Sequence, residues 1–160
     1  MAAVIRSERR VREATPGDWP AIEGLLVDRE LPVAGAREHL EEFLVSEEGA
    51  TVTGCAAVER YGDLGLLRSV AVAEGVAGRG LGTELVKSSV QRAHRLGLRA
   101  LYLLTTTAAG FFPRFGFETV PRESLPPALS ASEELRGACP ASAVAMRLAL
   151  PGGRVTEGSG

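Results

Sequence analysis

The chain has 160 residues, 45% apolar and 24% charged, and its 18 basic and 20 acidic side chains leave a net charge of −2. This fits one domain with its own core and excludes a disordered chain. It also argues against nucleic-acid binding through bulk charge, because a phosphate-reading domain carries a basic excess.

Two cysteines cannot build a disulfide framework. No run approaches the roughly 20 apolar residues of a membrane span. The apolar start, residues 1–5, meets Arg6, Glu8, Arg9 and Arg10 too soon for a secretory leader, which needs about 7–15 apolar residues. A cytoplasmic location with reduced thiols is therefore expected, with neither membrane nor nucleic acid as partner.

In chain order, residues 11–14 predict a short strand. Thr15 then suits a helix N-cap, with Pro16 at the first helical position and Asp18 in the first turn. Trp19, Ile22, Leu25 and Leu26 recur at helical spacing, and Leu31-Pro32 stops that helix. Residues 34–42 predict a second, short helix. Residues 43–46, 51–60 and 64–73, joined by turns at Gly49 and Gly62, predict an antiparallel meander.

The clearest helix follows a loop over residues 74–79. Leu81, Leu85, Val86, Val90, Ala93 and Leu96 form one face, Glu84, Lys87, Gln91 and Arg95 lie on the other, and Gly97 closes it. Residues 100–105 read as the next strand. Strand, long helix and strand require a crossover, so 64–73 and 100–105 should run parallel. A short helix over 108–115 ends at Gly116, and 117–120 and 142–150 give two last strands. The Pro-containing loop 121–140 between them, with room for a helical turn, is long enough to be functional. The expected class is α/β (α+β): a mixed sheet of six to seven strands with flanking helices. Residues 1–150 form one domain, and 151–160 a Gly-rich tail read as disordered.

Two stretches carry chemistry. Val76-Ala77-Gly78-Arg79-Gly80-Leu81-Gly82-Thr83 follows a strand and opens a helix. Its glycines permit close backbone approach, and helix-start amides suit a pyrophosphate. A plain Gly-rich turn is the bland alternative. A P-loop would need Gly-Lys-Ser/Thr, and a dinucleotide fingerprint Gly-x-Gly-x-x-Gly on the first βα turn; neither is present.

The second stretch is Ala108-Ala109-Gly110-Phe111-Phe112-Pro113-Arg114-Phe115-Gly116-Phe117. With it, the chain resembles the GNAT superfamily of acetyl-CoA-dependent N-acetyltransferases from about Val11 to Leu150. Leu101-Tyr102-Leu103-Leu104-Thr105-Thr106-Thr107 and Leu125-Pro126 are similar to the acetyltransferase domain of N-acetylglutamate synthases. With Leu66-Leu67-Arg68-Ser69-Val70-Ala71-Val72 and Cys139-Pro140, the chain is more similar still to the arsenic-resistance N-acetyltransferases.

The resemblance implies a GNAT fold and acetyl-CoA as cosubstrate. It assigns Ala77, Gly78, Arg79, Gly80, Leu81, Gly82 and Thr83 to the pyrophosphate, and Val70, Ala71 and Val72 to the pantetheine. Phe112 and Arg114 fall beside the thioester. Many relatives carry a Tyr where this chain has Phe112; that Tyr protonates the leaving thiolate, and Phe112 cannot. The Gln or Arg usual at the start of the loop is Ala77 here, and a common Asn is Thr105.

Acyl transfer to an amine needs a route for the amine's proton. Glu59, at the end of the strand before the one that the resemblance pairs with the pantetheine, is the candidate base, with an exposed strand-end Glu as the alternative. Arg68 sits inside an apolar strand and so requires a partner. It is read as holding a substrate carboxylate or arsenic oxyacid, or else as an internal salt bridge to a sheet-face acid such as Glu59 or as a residue of an exposed sheet face. Tyr61 is read as a turn residue that orients substrate or lies at the surface. Cys55 is read as core. Cys139 is an inert thiol, a soft ligand for arsenic or a proton donor. His39 and His94 are read as facing solvent, and no Cys/His spacing supports a metal site.

The function expected is direct acetyl transfer to a small, amino-acid-like amine, with arsenic resistance as a candidate setting. N-acetylglutamate synthesis and a non-catalytic CoA-binding module stay open, as does a homodimer.

Overall fold

The structure is a computed structural model that describes residues 9–132, 134–138 and 142–150. Seven strands form one sheet: β1 (Arg9–Glu13), β2 (Phe43–Glu48), β3 (Thr51–Tyr61), β4 (Leu64–Val72), β5 (Ala100–Thr105), β6 (Glu118–Val120) and β7 (Val144–Ala149). Their order is β1-β2-β3-β4-β5-β7-β6. The meander pairs antiparallel, and β4 and β5 pair in parallel, as the crossover requires. Two longer helices, α1 (Trp19–Asp28) and α2 (Leu81–Arg95), cover opposite faces.

Strand alternation divides the core. Ala56, Val58 and Leu67 turn toward α2, where they meet Leu85, Val86 and Ala93. Cys55 and Ala57 turn the other way, onto Trp19, Ile22 and Leu26 of α1. A third cluster gathers Leu64, Leu66, Ala100 and Tyr102 beneath Leu129 of the long loop. No helix among the described residues is long and apolar enough to cross a membrane.

The start of α1 forms as its residues dictate. Thr15 and Asp18 make a reciprocal capping box around a tight turn over Pro16–Asp18. Arg12 of β1 clamps that turn by donating to both Asp18 oxygens, at 2.8 and 3.0 Å, and to Glu47 of β2. Glu30 then closes α1 in the left-handed region at φ 58°, a position that favours glycine.

Two short elements differ from expectation. Residues 34–42 form only a 3-10 turn over Arg37–Glu42, kinked at His39. The segment is too short to carry the cost of nucleating an α-helix. The helix expected over 108–115 contracts to Phe112–Phe115, because Pro113 lacks the donor that an extended helix needs. The 121–140 loop holds short helical turns at Arg122–Ser124, Pro127–Ala131 and Glu134–Ala138. Cys139, Pro140 and the tail 151–160 lie outside the described residues.

Candidate active site at the splayed strands

The parallel register of β4 and β5 runs only from Leu64↔Ala100 to Leu66↔Tyr102. Beyond it the strands diverge. The cause is a bulge in β4: Cys55 of β3 faces Ala71, while Ala57 faces Arg68, so β4 holds one extra residue. Ser69 absorbs it at φ 63°. The bulge puts Arg68 and Ala71 on the α1 face and turns Val70 and Val72 to the α2 face.

The divergence opens a cleft of about 440 Å³. One wall is Leu67–Val70 of β4, and the other runs from Leu103 through Ala108 to Phe112. The segment 30–32 after α1 and Glu134 of the long loop complete it. Phe112 is buried there, edge-on to Phe111 at 5.2 Å and to Phe117 at 5.8 Å.

Arg68 is the hub of the cleft. Its side chain is fully buried. Nη1 donates to Glu59 Oε2 at 2.9 Å, Nη2 to the Pro32 carbonyl at 3.0 Å and Nε to Ser69 Oγ at 2.9 Å. Glu134 Oε2 lies 3.4 Å from Nε. One guanidinium thus ties β3, β4, the exit of α1 and the long loop together.

Glu59 lies diagonally across the strand pair from Arg68, since Glu59 faces Leu66 and Ala57 faces Arg68. It is wholly buried, which excludes the exposed strand-end alternative, and it does not line the cleft. Tyr61 donates to its Oε1 at 2.6 Å, so Tyr61 holds Glu59 from behind rather than facing solvent. Burial pushes the Glu59 carboxyl up, but hydrogen bonds from Tyr61, Ser132 and Arg68 outweigh it and hold the carboxyl below its ordinary value. A carboxylate so satisfied accepts a further proton reluctantly. Burial, with Glu59 beside it, pushes the Tyr61 phenol well above its ordinary value.

His39 was expected in solvent, but its ring is half-buried. Nδ1 lies 2.7 Å from Glu42 Oε1, and Nε2 lies 3.7 Å from Glu59 Oε2. The kink in 37–42 turns it inward. His94 is exposed, as expected. Cys55 is buried, donates to the Ser69 carbonyl at 3.3 Å, and has its thiol pushed up to about 12 by burial. It is therefore inert.

The expected phosphate loop sits at the other end of the splay. Gly78 and Gly80 take φ 85° and 83°, which glycine accommodates without strain. Gly80 caps α2 with no side-chain hydrogen bond, and the first helical amide bond is Glu84 N to Gly80 O at 3.1 Å. The amides of Leu81, Gly82 and Thr83 precede it and have no partner within the helix. Residues 77–80 are exposed. Arg79 points away, to Glu48 at 2.8 Å, so its backbone rather than its guanidinium faces a ligand here. Arg114 stacks at 4.7 Å over Phe111, and a Cβ on Gly82 would lie 3.6 Å from that same ring. Arg114 thus adds a cation beside the α2 N-terminus. Such a row of unpaired helix-start amides could hold an anionic group such as a pyrophosphate.

Three cleft residues were missed in the sequence. Pro32 read only as part of a helix stop, and neither Glu30 nor Glu134 stood out. The loop's length was the one available signal for Glu134. Among the described residues, no group of three His, Cys, Asp or Glu side chains is placed to hold a metal.

Known proteins share this architecture. Residues 39–119 match the Acetyltransferase (GNAT) domain family. An amino-acid acetyltransferase of Neisseria meningitidis is 30% identical over 125 residues, covering 72% of this chain and 29% of that protein. An uncharacterized N-acetyltransferase of Chlorobaculum tepidum is 31% identical over 105 residues, covering 65% of this chain and 66% of that one. N-acetylglutamate synthase from Neisseria gonorrhoeae, complexed with coenzyme A and N-acetyl-glutamate, superposes with a TM-score of 0.77 at 25% identity. That match covers 90% of this chain and 35% of the synthase. Rv2747 from Mycobacterium tuberculosis, solved with CoA, gives a TM-score of 0.75 at 27% identity over 88% of this chain and 99% of that one. The chain therefore spans about a third of the length of the Neisseria proteins it matches.

Proposed function

Since the chain belongs to the GNAT acetyltransferase family, we propose that it moves acetyl from acetyl-CoA directly to the amino group of a small, amino-acid-like acceptor. The observation that carries this reading is the splay of β4 from β5, with the cleft at one end and the amide row of α2 at the other. Acetyl-CoA supplies an acyl group already activated as a thioester.

Roles follow from position. Backbone amides of Gly78–Thr83 hold the pyrophosphate, with Arg114 beside them. The β4 edge at Val70, Ala71 and Val72, which β5 leaves without a strand partner, receives the pantetheine by main-chain pairing. The acceptor nitrogen attacks the thioester carbon, the carbon–sulfur bond breaks, and the nitrogen's proton leaves for solvent. The thiolate departs without a phenol donor, since Phe112 stands in that part of the cleft. A thiol with a pKa of about 8.5 is a fair leaving group. Glu59 and Arg68 act as positioning residues that fix the cleft walls. This replaces the expectation of Glu59 as base, because both its oxygens are already engaged.

N-acetylglutamate synthesis is the second reading, favoured by the likeness to the Neisseria enzymes. Arsenic resistance, a cytoplasmic location and pairing of two copies are finer parts of the first. The test is free-thiol release from acetyl-CoA against a panel of amines that includes glutamate and arsenic-bearing amino acids, with mass detection of the product. Thiol released together with an N-acetylated amine supports the reading. Tight acetyl-CoA binding with no amine acetylated would leave a binding module instead.

A further inference from the structure

We infer that Arg9 is a positioning residue for the cofactor: from the edge strand β1 it fixes the loop before α2 in the form that offers its amides to the pyrophosphate. The inference rests on the reading of residues 78–83 as the pyrophosphate site and adds what holds that site in shape.

The loop is pinned at one residue. Gly78 and Gly80 take φ 85° and 83° on either side of Arg79, and residues 77–80 are exposed. Glycine has the greatest backbone freedom, so such a loop must be ordered either by its ligand or by the fold. Here the fold does it. Arg9 and Glu48 face each other across the β1–β2 pair. Arg9 Nη1 donates to the Arg79 carbonyl at 3.3 Å, and Arg79 Nη2 donates to Glu48 Oε2 at 2.8 Å. The cross-strand pair thus grips Arg79 by its main chain and by its side chain. A trans peptide sets its carbonyl and the next N–H on opposite sides. With the Arg79 carbonyl turned to Arg9, the Gly80 amide points away from β1.

The second contact of Arg9 concerns charge. Nη2 donates to Glu84 Oε2 at 2.7 Å. Glu84 lies in the first turn of α2, where a carboxylate competes with an anionic ligand for the positive end of the helix. Arg9 offsets that charge. One guanidinium therefore orients the loop and keeps Glu84 from repelling phosphate.

Calorimetric binding of acetyl-CoA to the full chain tests this, with the Tm of the free protein measured alongside. Arg9→Met keeps the apolar stem and removes the charge and the donors. The Kd for acetyl-CoA should rise about three- to fivefold, the scale set by an exposed ion pair, with little change in Tm. Arg10→Met is the control, because Arg10 points to the other face of the strand and pairs with Glu47 at 3.3 Å. It loses the same charge and should keep the native affinity. Adding Glu84→Gln to Arg9→Met should recover the part of the loss that comes from repulsion.

Equal losses in Arg9→Met and Arg10→Met, or no loss in Arg9→Met, would overturn the inference. So would a loss matched by a large fall in Tm, the mark of a merely structural anchor. Gly80→Glu separates the brace from the site it serves. If that variant abolishes binding while Arg9→Met binds as the native protein does, the pyrophosphate site stands and the brace falls. If Gly80→Glu leaves binding intact, or the native protein does not bind acetyl-CoA, the site reading fails and the brace falls with it.

Discussion

At the N-terminus of α2, the groups offered to a ligand are backbone amides, exposed and set by two glycines in left-handed conformations. At the bulge of β4 they are side chains, buried and bound to one another across four chain segments. The loop needs only a glycine pattern followed by a helix, so it is encoded locally. The cleft depends on strand register and on residues far apart in sequence, so one lost partner propagates. Cofactor recognition and acceptor recognition should therefore fail in different ways when mutated.

The largest expected effect falls on the cleft. Glu59→Ala leaves the buried Arg68 guanidinium without its main counter-charge, and breaking such a pair by removing one partner costs about 3–5 kcal/mol. Chemical denaturation should show that loss, while the folded fraction keeps its acetyl-CoA affinity. The double variant Glu59→Leu with Arg68→Met should recover most of the stability, because apolar replacement of a buried pair is often neutral or better. A loss below about 1 kcal/mol in the single variant would show that the network does not hold the cleft walls.

The loop should respond in the opposite sense. Gly80→Glu places a side chain where φ is 83° and a carboxylate where phosphates are expected. The strain amounts to about 1–2 kcal/mol of stability. Acetyl-CoA affinity should fall by about 100-fold, or ~2.7 kcal/mol. Unchanged affinity by calorimetry would remove the phosphate site from this loop.

A third contrast lies outside both regions, where Arg12 fastens β1 to the start of α1. Its hydrogen bonds hold the Asp18 carboxyl down, at about 2 rather than the usual 3.8. Because the folded value is the lower one, the stabilisation is complete above about pH 4 and is lost as pH falls toward 2. The difference corresponds to about 2 kcal/mol. Unfolding curves for the native protein and Asp18→Asn should converge across that window. A gap that stays constant down to pH 2 would separate this clamp from acid stability.

The same comparison explains what the sequence made legible. The N-cap at Thr15, the amphipathic α2 and the glycine loop all rest on contacts within a few residues, and all three form where expected. The parallel pairing of β4 with β5 followed from connection length alone. The bulge did not, because an extra residue at Ser69 leaves the apolar run around Arg68 unbroken in composition. Without the bulge, no spacing rule places Arg68 and Ala71 on one face. The Glu59–Arg68 pairing is one of three readings open to Arg68 in the sequence, and the register that sets the two residues diagonally across β3 and β4 brings it about. Glu134 and Pro32 reach the same guanidinium from distant segments, and nothing local marks either of them.

The smallest effect sharpens the comparison at the point where cleft and cofactor meet. Phe112 is buried between Phe111 and Phe117 and forms part of the cleft lining. Its ring has no proton to give, so its contribution is packing alone. Phe112→Leu removes two edge-to-face contacts, each worth about 0.5–1.5 kcal/mol beyond area, while leucine restores part of the volume. The net loss of stability should be about 1 kcal/mol, read as a small fall in Tm. The shape of the pH–rate profile should not change, because no titrating group is removed. If the variant loses an alkaline limb, the position governs protonation through its neighbours, and unaided thiolate departure is wrong. Phe112→Tyr makes the complementary test, since it sets a phenol at the same place. If a donor there is superfluous, this variant also keeps the native profile, and a new alkaline limb with faster turnover would show that thiolate departure had been limiting.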